Sequence, residues 1–241
     1  MENTLKFLIT GGTGFIGTYL RSRLLKEGHY VTIITRNPKR YQEEHSTNQR
    51  FIHWDEDLSD ELAESDVVIN LAGQNLVGVR WTDKLKELIY TSRIDSTRQL
   101  VDAMKKAKKK PNLFISASAA GYYGDNGDKV VDESTPPGND FLAKVCQDWE
   151  SEALQAKELG IRVAIPRMGI PLQDDGGMVA KMKLPFQLFV GGPVGDGKQY
   201  IPWLHMDDLC RALIYPVEHE RLEGPYNVNA PNPVTMNELA S

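Results

Sequence analysis

Cysteine is scarce in this chain, with two residues, Cys146 and Cys210, among 241. So few and so far apart, they make no disulfide framework, and two thiols cannot form a cysteine-rich zinc site. The five histidines, at 29, 45, 53, 205 and 219, lack the paired spacing of a metal-binding helix, so no metal is expected. No apolar run approaches the roughly 18 residues that crossing a bilayer requires. Met1 leads straight into an apolar run at 5–10, without a charged-then-apolar leader. There is no excess of basic charge either. Lysine and arginine number 28 against 33 acids, for a net charge of −5, which gives no reason to expect nucleic acid or an anionic membrane as partner. The one basic run, "KKAKKK" at 105–110, reads as the solvated end of a helix. No G-x-S-x-G elbow is present, so acyl hydrolysis has no support. What remains is a cytoplasmic protein with a small-molecule partner. Its oligomeric state is not readable.

Apolar residues make up 41% of the chain, enough for a full core. Their spacing alternates. Short β-rich runs at 5–10, 30–35, 50–54, 66–73, 113–118 and 161–169 are separated by amphipathic stretches at 15–28, 81–110 and 143–160. The stretch at 81–110 is long enough to be two abutting helices. Strands of this fully apolar kind alternating with helices predict an α/β fold: a Rossmann-like, doubly wound parallel sheet with the first strand central. After 170 the chain is rich in glycine and proline, and predicts a small, mixed substrate-facing lobe. The expected division is 1–169 for a nucleotide-binding domain and 170–241 for a lobe interleaved with the last framework elements. A helix is expected at 207–219. Thr235 and Glu238 form a capping-box pattern that opens another helix as the sequence ends.

Between the first strand and the first helix stands "TGGTGFIG" (10–17). Gly11, Gly14 and Gly17 recur every third residue, and Gly12, Gly14 and Gly17 satisfy G-x-G-x-x-G. Such glycines allow a tight turn and let backbone N–H groups of Thr13 to Gly17, with Phe15 and Ile16 between, approach a pyrophosphate at a helix N-terminus. The second strand then ends "TRNPKR", with no acid to take a ribose 2′-hydroxyl. Thr35 offers a hydroxyl and Arg36 a forked cation suited to a 2′-phosphate. The cofactor reading is therefore NADP (as NADPH) over NAD. Leu71, Ala72 and Gly73, in "NLAG", are small residues at a central strand end where a cofactor passes. Asp55 is a turn aspartate or an adenine contact.

The runs "FLITGGTGFIG", "NLAG", "SASAAGYYGD" (116–125) and "WLHMDDL" (203–209) together resemble the extended short-chain dehydrogenase/reductase superfamily, of the nucleoside-sugar epimerase and dehydratase type. "RWTDKLKELIYTSRI", "GYYGD" and "PFQLFVGGPVGDGKQYIPWLHMDD" resemble more narrowly an atypical group known as NAD-dependent epimerase/dehydratase or epimerase-family proteins. The resemblance implies a further small C-terminal domain outside this chain. It also implies a Tyr-x-x-x-Lys pair, a serine on the preceding strand and an asparagine on an earlier helix. Here the lysine falls on Lys144, the tyrosine on Asp140, the serine on Ala119 with Ser118 next to it, and the asparagine on Arg93. The resemblance is thus to a group that lacks the usual Tyr-x-x-x-Lys site.

The resemblance therefore implies an NADP(H)-binding, epimerase-family oxidoreductase with altered catalytic residues. The alternative is a non-catalytic NADP(H) sensor or partner-binding protein. Tyr122, Tyr123, Ser118 and Lys144 are the catalytic candidates, because the loop after that strand faces the nicotinamide in the superfamily. Lys144 is also a ribose anchor. Arg93 is open between a cofactor phosphate, an anionic substrate and a solvated helix face. Gln199, Tyr200 and Trp203 fall where substrate contacts are expected. Asp140 reads as an acid at a helix start, and His205 as a strand-end residue before a capping Asp207.

Overall fold

The structure is a computed structural model that describes residues 4–76, 80–174, 176–189 and 191–241. Its elements run β1 (Lys6–Thr10), α1 (Phe15–Lys26), β2 (Tyr30–Thr35), β3 (Gln49–His53), α2 (Ser59–Glu64), β4 (Val67–Asn70), α3 (Asp83–Lys106), β5 (Leu113–Ser116), β6 (Ser118–Ala119) and α4 (Phe141–Leu154). There follow β7 (Arg162–Met168), β8 (Ile170–Gln173), α5 (Gly177–Gln187), β9 (Tyr200–Ile201), β10 (Trp203–His205), α6 (Met206–Glu218), β11 (Gly224–Val228), β12 (Val234–Thr235) and α7 (Met236–Leu239).

The main sheet has the order β11-β7-β5-β4-β1-β2-β3, with β6 beside β7. All of its pairings are parallel. This is the Rossmann-like parallel sheet the alternation predicts, and β1 lies inside it. The chain winds outward from β1 to β3, then returns to β4 on the other side. The direction of winding therefore reverses between β1 and β4, and the crevice that takes ligands in such sheets opens at the carboxyl ends of those two strands.

Side chains alternate across the sheet, so each strand feeds two cores. Phe7 and Ile9 of β1 face one side, where Leu20 and Leu24 of α1 and Leu209 and Leu213 of α6 cover them. Leu8 faces the other, under Leu100, Val101 and Met104 of α3 and Ala153 of α4. All of these are fully buried. A side chain such as Leu20 or Leu100 stabilises the fold by about 1.5–3 kcal/mol when taken from water.

The 81–110 stretch forms one helix rather than two. Asp83–Lys106 holds neither glycine nor proline, and Thr82 caps it by accepting the Leu85 N–H at 3.2 Å. Residues 170–241 do not form a separate body. β11 joins the main sheet beside β7, and α6 packs on α1. The remaining short pairs, β8 with β10 and β9 with β12, lie off the main sheet. Thr235 and Glu238 make the reciprocal cap of α7.

Candidate functional site

At the carboxyl end of β1 the glycines have distinct steric reasons. Gly11 has φ +68°, a left-handed conformation, and a Cβ there would come 2.4 Å from the Leu71 carbonyl oxygen. A Cβ on Gly17 would come 2.3 Å from the Gly11 carbonyl oxygen, so α1 starts against the turn only if residue 17 is bare. Gly14 differs. Its φ is −83° and a Cβ would come 3.2 Å from the Gly11 carbonyl oxygen, a tight contact that a shift of a few tenths of an ångström relieves, so a side chain strains the fold far less here than at residue 17. Gly14 is also the N-cap of α1, and no side chain caps the helix. The N–H groups of Phe15, Ile16 and Gly17 thus stand at the positive end of a 12-residue helix without a side-chain acceptor. Thr13, half-buried, completes the turn. This arrangement fits a pyrophosphate.

Leu71, Ala72 and Gly73 follow β4 along the other wall of the crevice. Their shape is held by Asn70, which is fully buried. Its Oδ1 accepts from Thr10 Oγ1 at 2.6 Å and its Nδ2 donates to Thr97 Oγ1 at 2.8 Å and Ser116 Oγ at 3.2 Å. Thr97 Oγ1 also accepts from Trp149 Nε1 at 2.9 Å. One buried polar cluster therefore ties the ends of β1, β4 and β5 to α3 and α4. Beyond it lies Arg93, half-buried, donating from Nη1 to Ile89 O and from Nη2 to Gln74 O, both at 3.1 Å.

At the adenosine end, Thr35 is buried and its Oγ1 accepts from Asn37 N at 3.5 Å. The Arg36 side chain is exposed and has no ion-pair partner among the described residues. Its carbonyl lies 3.0 Å from His53 Nε2. Asp55 is exposed beside His53, with 3.4 Å between Oδ2 and Nδ1.

The catalytic candidates separate into three settings. Ser118, fully buried, donates to Glu150 Oε1 at 2.6 Å. Glu150 takes Arg167 in a two-pronged ion pair, with Nε to Oε1 and Nη2 to Oε2 both at 2.9 Å. Arg167 Nη1 donates to the Tyr123 hydroxyl at 3.0 Å, and Tyr123 donates to Asn227 Oδ1 at 2.6 Å. Ser118 and Tyr123 thus belong to a closed, buried network with every partner supplied. Tyr122 sits differently. Its ring lies under the Arg167 guanidinium, whose Cζ is 3.4 Å from the ring centroid, and its hydroxyl has no hydrogen-bond partner among the described residues. Lys144 is elsewhere again. Its ammonium is exposed and pairs with Asp148 at 2.7 Å, a contact that holds its pKa above the ordinary lysine value.

The helix phase of α4 explains that last placement. Leu142, Cys146 and Glu150, four residues apart, face β6 and the turn after it. A Cβ on Gly121 would lie 3.6 Å from Leu142 Cβ, and Cys146 Sγ lies 3.9 Å from the Ala119 carbonyl. Lys144, two residues along from Leu142, falls on another face. Asp140 caps α4, accepting the Ala143 N–H at 2.9 Å. His205 itself caps α6, its Nδ1 accepting Asp207 N at 3.2 Å, while Asp207 turns to the Tyr19 hydroxyl. The spacing assigns that cap to Asp207; the imidazole reaches it because residue 205 is still extended.

The expected substrate contacts lie on the small outer sheets. Tyr200 is exposed and pairs with Thr235 across β9 and β12, and Gln199 Nε2 donates to Val194 O at 2.7 Å. Trp203 donates from Nε1 to Asn232 O at 3.1 Å. The start of α5 reaches the phosphate loop, since a Cβ on Gly176 would strike the Phe15 ring at 2.0 Å. Glu150, Arg167, Asn227 and Asn70 were not singled out above. A charged residue inside the apolar strand run "VAIPRMG" was the available signal, because such residues are buried only when paired.

Known proteins resemble this chain along nearly its whole length. The family model described as NAD dependent epimerase/dehydratase family matches residues 7–229. The epimerase family protein YfhF of Bacillus subtilis is 37% identical over 236 residues, spanning 98% of this chain and 77% of that protein. The chloroplastic SDR39U1 homolog of Arabidopsis thaliana, also an epimerase family protein, is 36% identical over 243 residues, spanning 99% and 70%. The crystal structure of human epimerase family protein SDR39U1 (isoform 2) with NADPH superposes with a TM-score of 0.83 at 33% identity, covering 98% of this chain and 78% of that one.

Proposed function

The chain belongs to the NAD dependent epimerase/dehydratase family, and on that premise we propose that it is an NADP(H)-binding oxidoreductase acting on a small molecule, with the phenol of Tyr122 in place of the missing tyrosine. The observation that carries the cofactor half is the bare, uncapped start of α1 between Gly11 and Gly17. The exposed Arg36 supports a 2′-phosphate at the ribose, and the human relative at 33% identity holds NADPH. Bound there, NADP(H) supplies or accepts a hydride.

This chain's own residues do the rest. The α1 N–H groups and Gly11–Gly14 hold the pyrophosphate, and Leu71 to Gly73 line the crevice. The Ser118–Glu150–Arg167–Tyr123 network holds Arg167 rigid, and Arg167 fixes the Tyr122 ring by stacking on its face. A phenol so oriented, with its hydroxyl unclaimed among the described residues, can pass a proton to or from a substrate oxygen. A sensor that had lost its chemistry would have no use for a hydroxyl left without a partner among the described residues, which favours an enzyme. Gln199, Tyr200 and Trp203, on the outer sheets, are proposed to border the substrate.

Isothermal titration tests the cofactor reading. NADPH should bind roughly 10- to 150-fold more tightly than NADH, about 1.5–3 kcal/mol, the range for hydrogen bonds to a charged group. Arg36→Ala should remove most of that preference. Equal affinities in the unaltered protein would reject it.

A further inference from the structure

Among the half-buried and buried arginines, Arg93 lacks what the others have. Arg21 and Arg167 face Glu44 and Glu150. Arg162 donates to Pro216 O and Leu222 O, at the negative end of α6. Arg93 has no carboxylate within ion-pair distance among the described residues and no helix C-terminus, only two carbonyls. Its Nε has no acceptor among the described residues. Burial lowers its pKa from the ordinary guanidinium value, and no carboxylate opposes that.

Its position is as informative. Arg93 lies against Gly73, just past β4, where the sheet reverses its winding. A Cβ on Gly73 would come 3.0 Å from Arg93 Cζ, so the guanidinium can pack at this end of the crevice only against a bare residue. Trp149 backs the other side, its ring centroid 5.3 Å from Cζ. Across the crevice stands the positive end of α1. A desolvated cation without a counter-charge is costly unless an anion arrives to meet it. The remaining donors of a guanidinium match the two oxygens of a phosphate or carboxylate.

We infer that Arg93 binds an oxyanion in the crevice between the loops that follow β1 and β4, presented either as a phosphate of the cofactor or as a carboxylate of the substrate. Only the phosphate source rests on the cofactor reading above.

Titration calorimetry on the full chain separates the two sources. NADPH is the phosphate probe, and malonate, added to free and to NADP⁺-saturated protein, is the carboxylate probe. Arg93→Met should weaken one of the two by about tenfold or more, and Arg93→Lys by less. Loss of NADPH affinity assigns the cofactor phosphate; loss of malonate affinity with NADPH unchanged assigns a substrate carboxylate. Affinities within twofold of the unaltered protein for both probes, in a variant folded by circular dichroism, would reduce Arg93 to a brace for the loop and overturn the inference. If the Met variant does not fold, the Lys variant decides by the same twofold criterion. If the unaltered protein binds no NADPH, the cofactor reading fails by itself, and malonate alone then decides for or against Arg93.

Discussion

Arg167 holds Glu150 through two parallel hydrogen bonds of 2.9 Å while its flat face covers the ring of Tyr122 at 3.4 Å. Both charges are buried, at 3% and 8% side-chain exposure. Breaking such a pair strands a charge in the interior. Glu150→Ala should therefore cost about 3–5 kcal/mol in urea unfolding. Ser118→Ala, which removes one hydroxyl donor, should cost about 1–3 kcal/mol. Replacing both ends, Glu150→Met with Arg167→Met, should recover much of the first loss. A Glu150→Ala variant as stable as the parent would mean the pair contributes nothing to the fold.

The glycines of the phosphate loop divide by what they avoid. Gly17→Ala places a Cβ 2.3 Å from the Gly11 carbonyl oxygen, within the protein itself. It should destabilise by about 1–3 kcal/mol, as overpacking does, and weaken NADPH as well. Gly14→Ala meets nothing closer than 3.2 Å. It should destabilise clearly less than Gly17→Ala yet bind NADPH less well, because the protein yields there by a few tenths of an ångström while the ligand loses its close approach. Parallel losses of stability in the two variants would contradict this division.

The framework was legible because its strands are short, wholly apolar and bounded by glycine, and because a glycine loop between strand and helix has one common use. Alternation and the glycine loop together place β1 centrally in a parallel sheet, and it lies inside, next to the middle strand β4. The site was less legible, for a reason seen in α4. A Tyr-x-x-x-Lys spacing puts Lys144 in the register of the family, but the phase of the helix is set by what packs on the sheet. Leu142, Cys146 and Glu150 take the inner face, and Lys144 turns to Asp148. Partners far apart in sequence were hidden for the same reason. Glu150 and Arg167 are 17 residues apart, and Tyr123 and Asn227 are 104 apart. No local pattern reports such contacts. The β8–β10 pair, built from a glycine- and proline-rich region, left no periodicity to read.

Burial raises the pKa of both thiols, Cys146 to about 11 and Cys210 to about 12, from an ordinary 9.0. At pH 8 neither should react with Ellman's reagent on a time scale of minutes, and both should react in urea. Folding favours the neutral thiol here. The associated stability is present below about pH 9 and is lost as pH rises through about 11 and 12. A Cys146→Ala, Cys210→Ala variant should accordingly lose less stability than the parent over that alkaline range. Rapid labelling of the native protein at pH 8 would show a thiolate that this packing does not allow.

Tyr122 and Tyr123 are adjacent and their rings meet edge to face, yet removing each hydroxyl should have a different consequence. The Tyr123 hydroxyl joins Arg167 Nη1 to Asn227 Oδ1. Tyr123→Phe leaves Arg167 Nη1 with only the longer bond to the Glu133 carbonyl, at 3.4 Å, and the half-buried Asn227 Oδ1 without its donor, and should cost about 1–3 kcal/mol of stability. The Tyr122 hydroxyl has no such partners among the described residues, so Tyr122→Phe should melt within about 0.5 kcal/mol of the parent, as surface changes do. Chemistry should divide the other way. If the Tyr122 phenol carries the proton, its loss should lower kcat of NADPH-linked turnover by about 10²–10⁴-fold, the usual contribution of general acid–base catalysis, while NADPH affinity holds. Tyr123→Phe should lower kcat less, and only by loosening Arg167. Full turnover in Tyr122→Phe would take the phenol out of the reaction and leave Arg167 stacked on a ring of purely structural use.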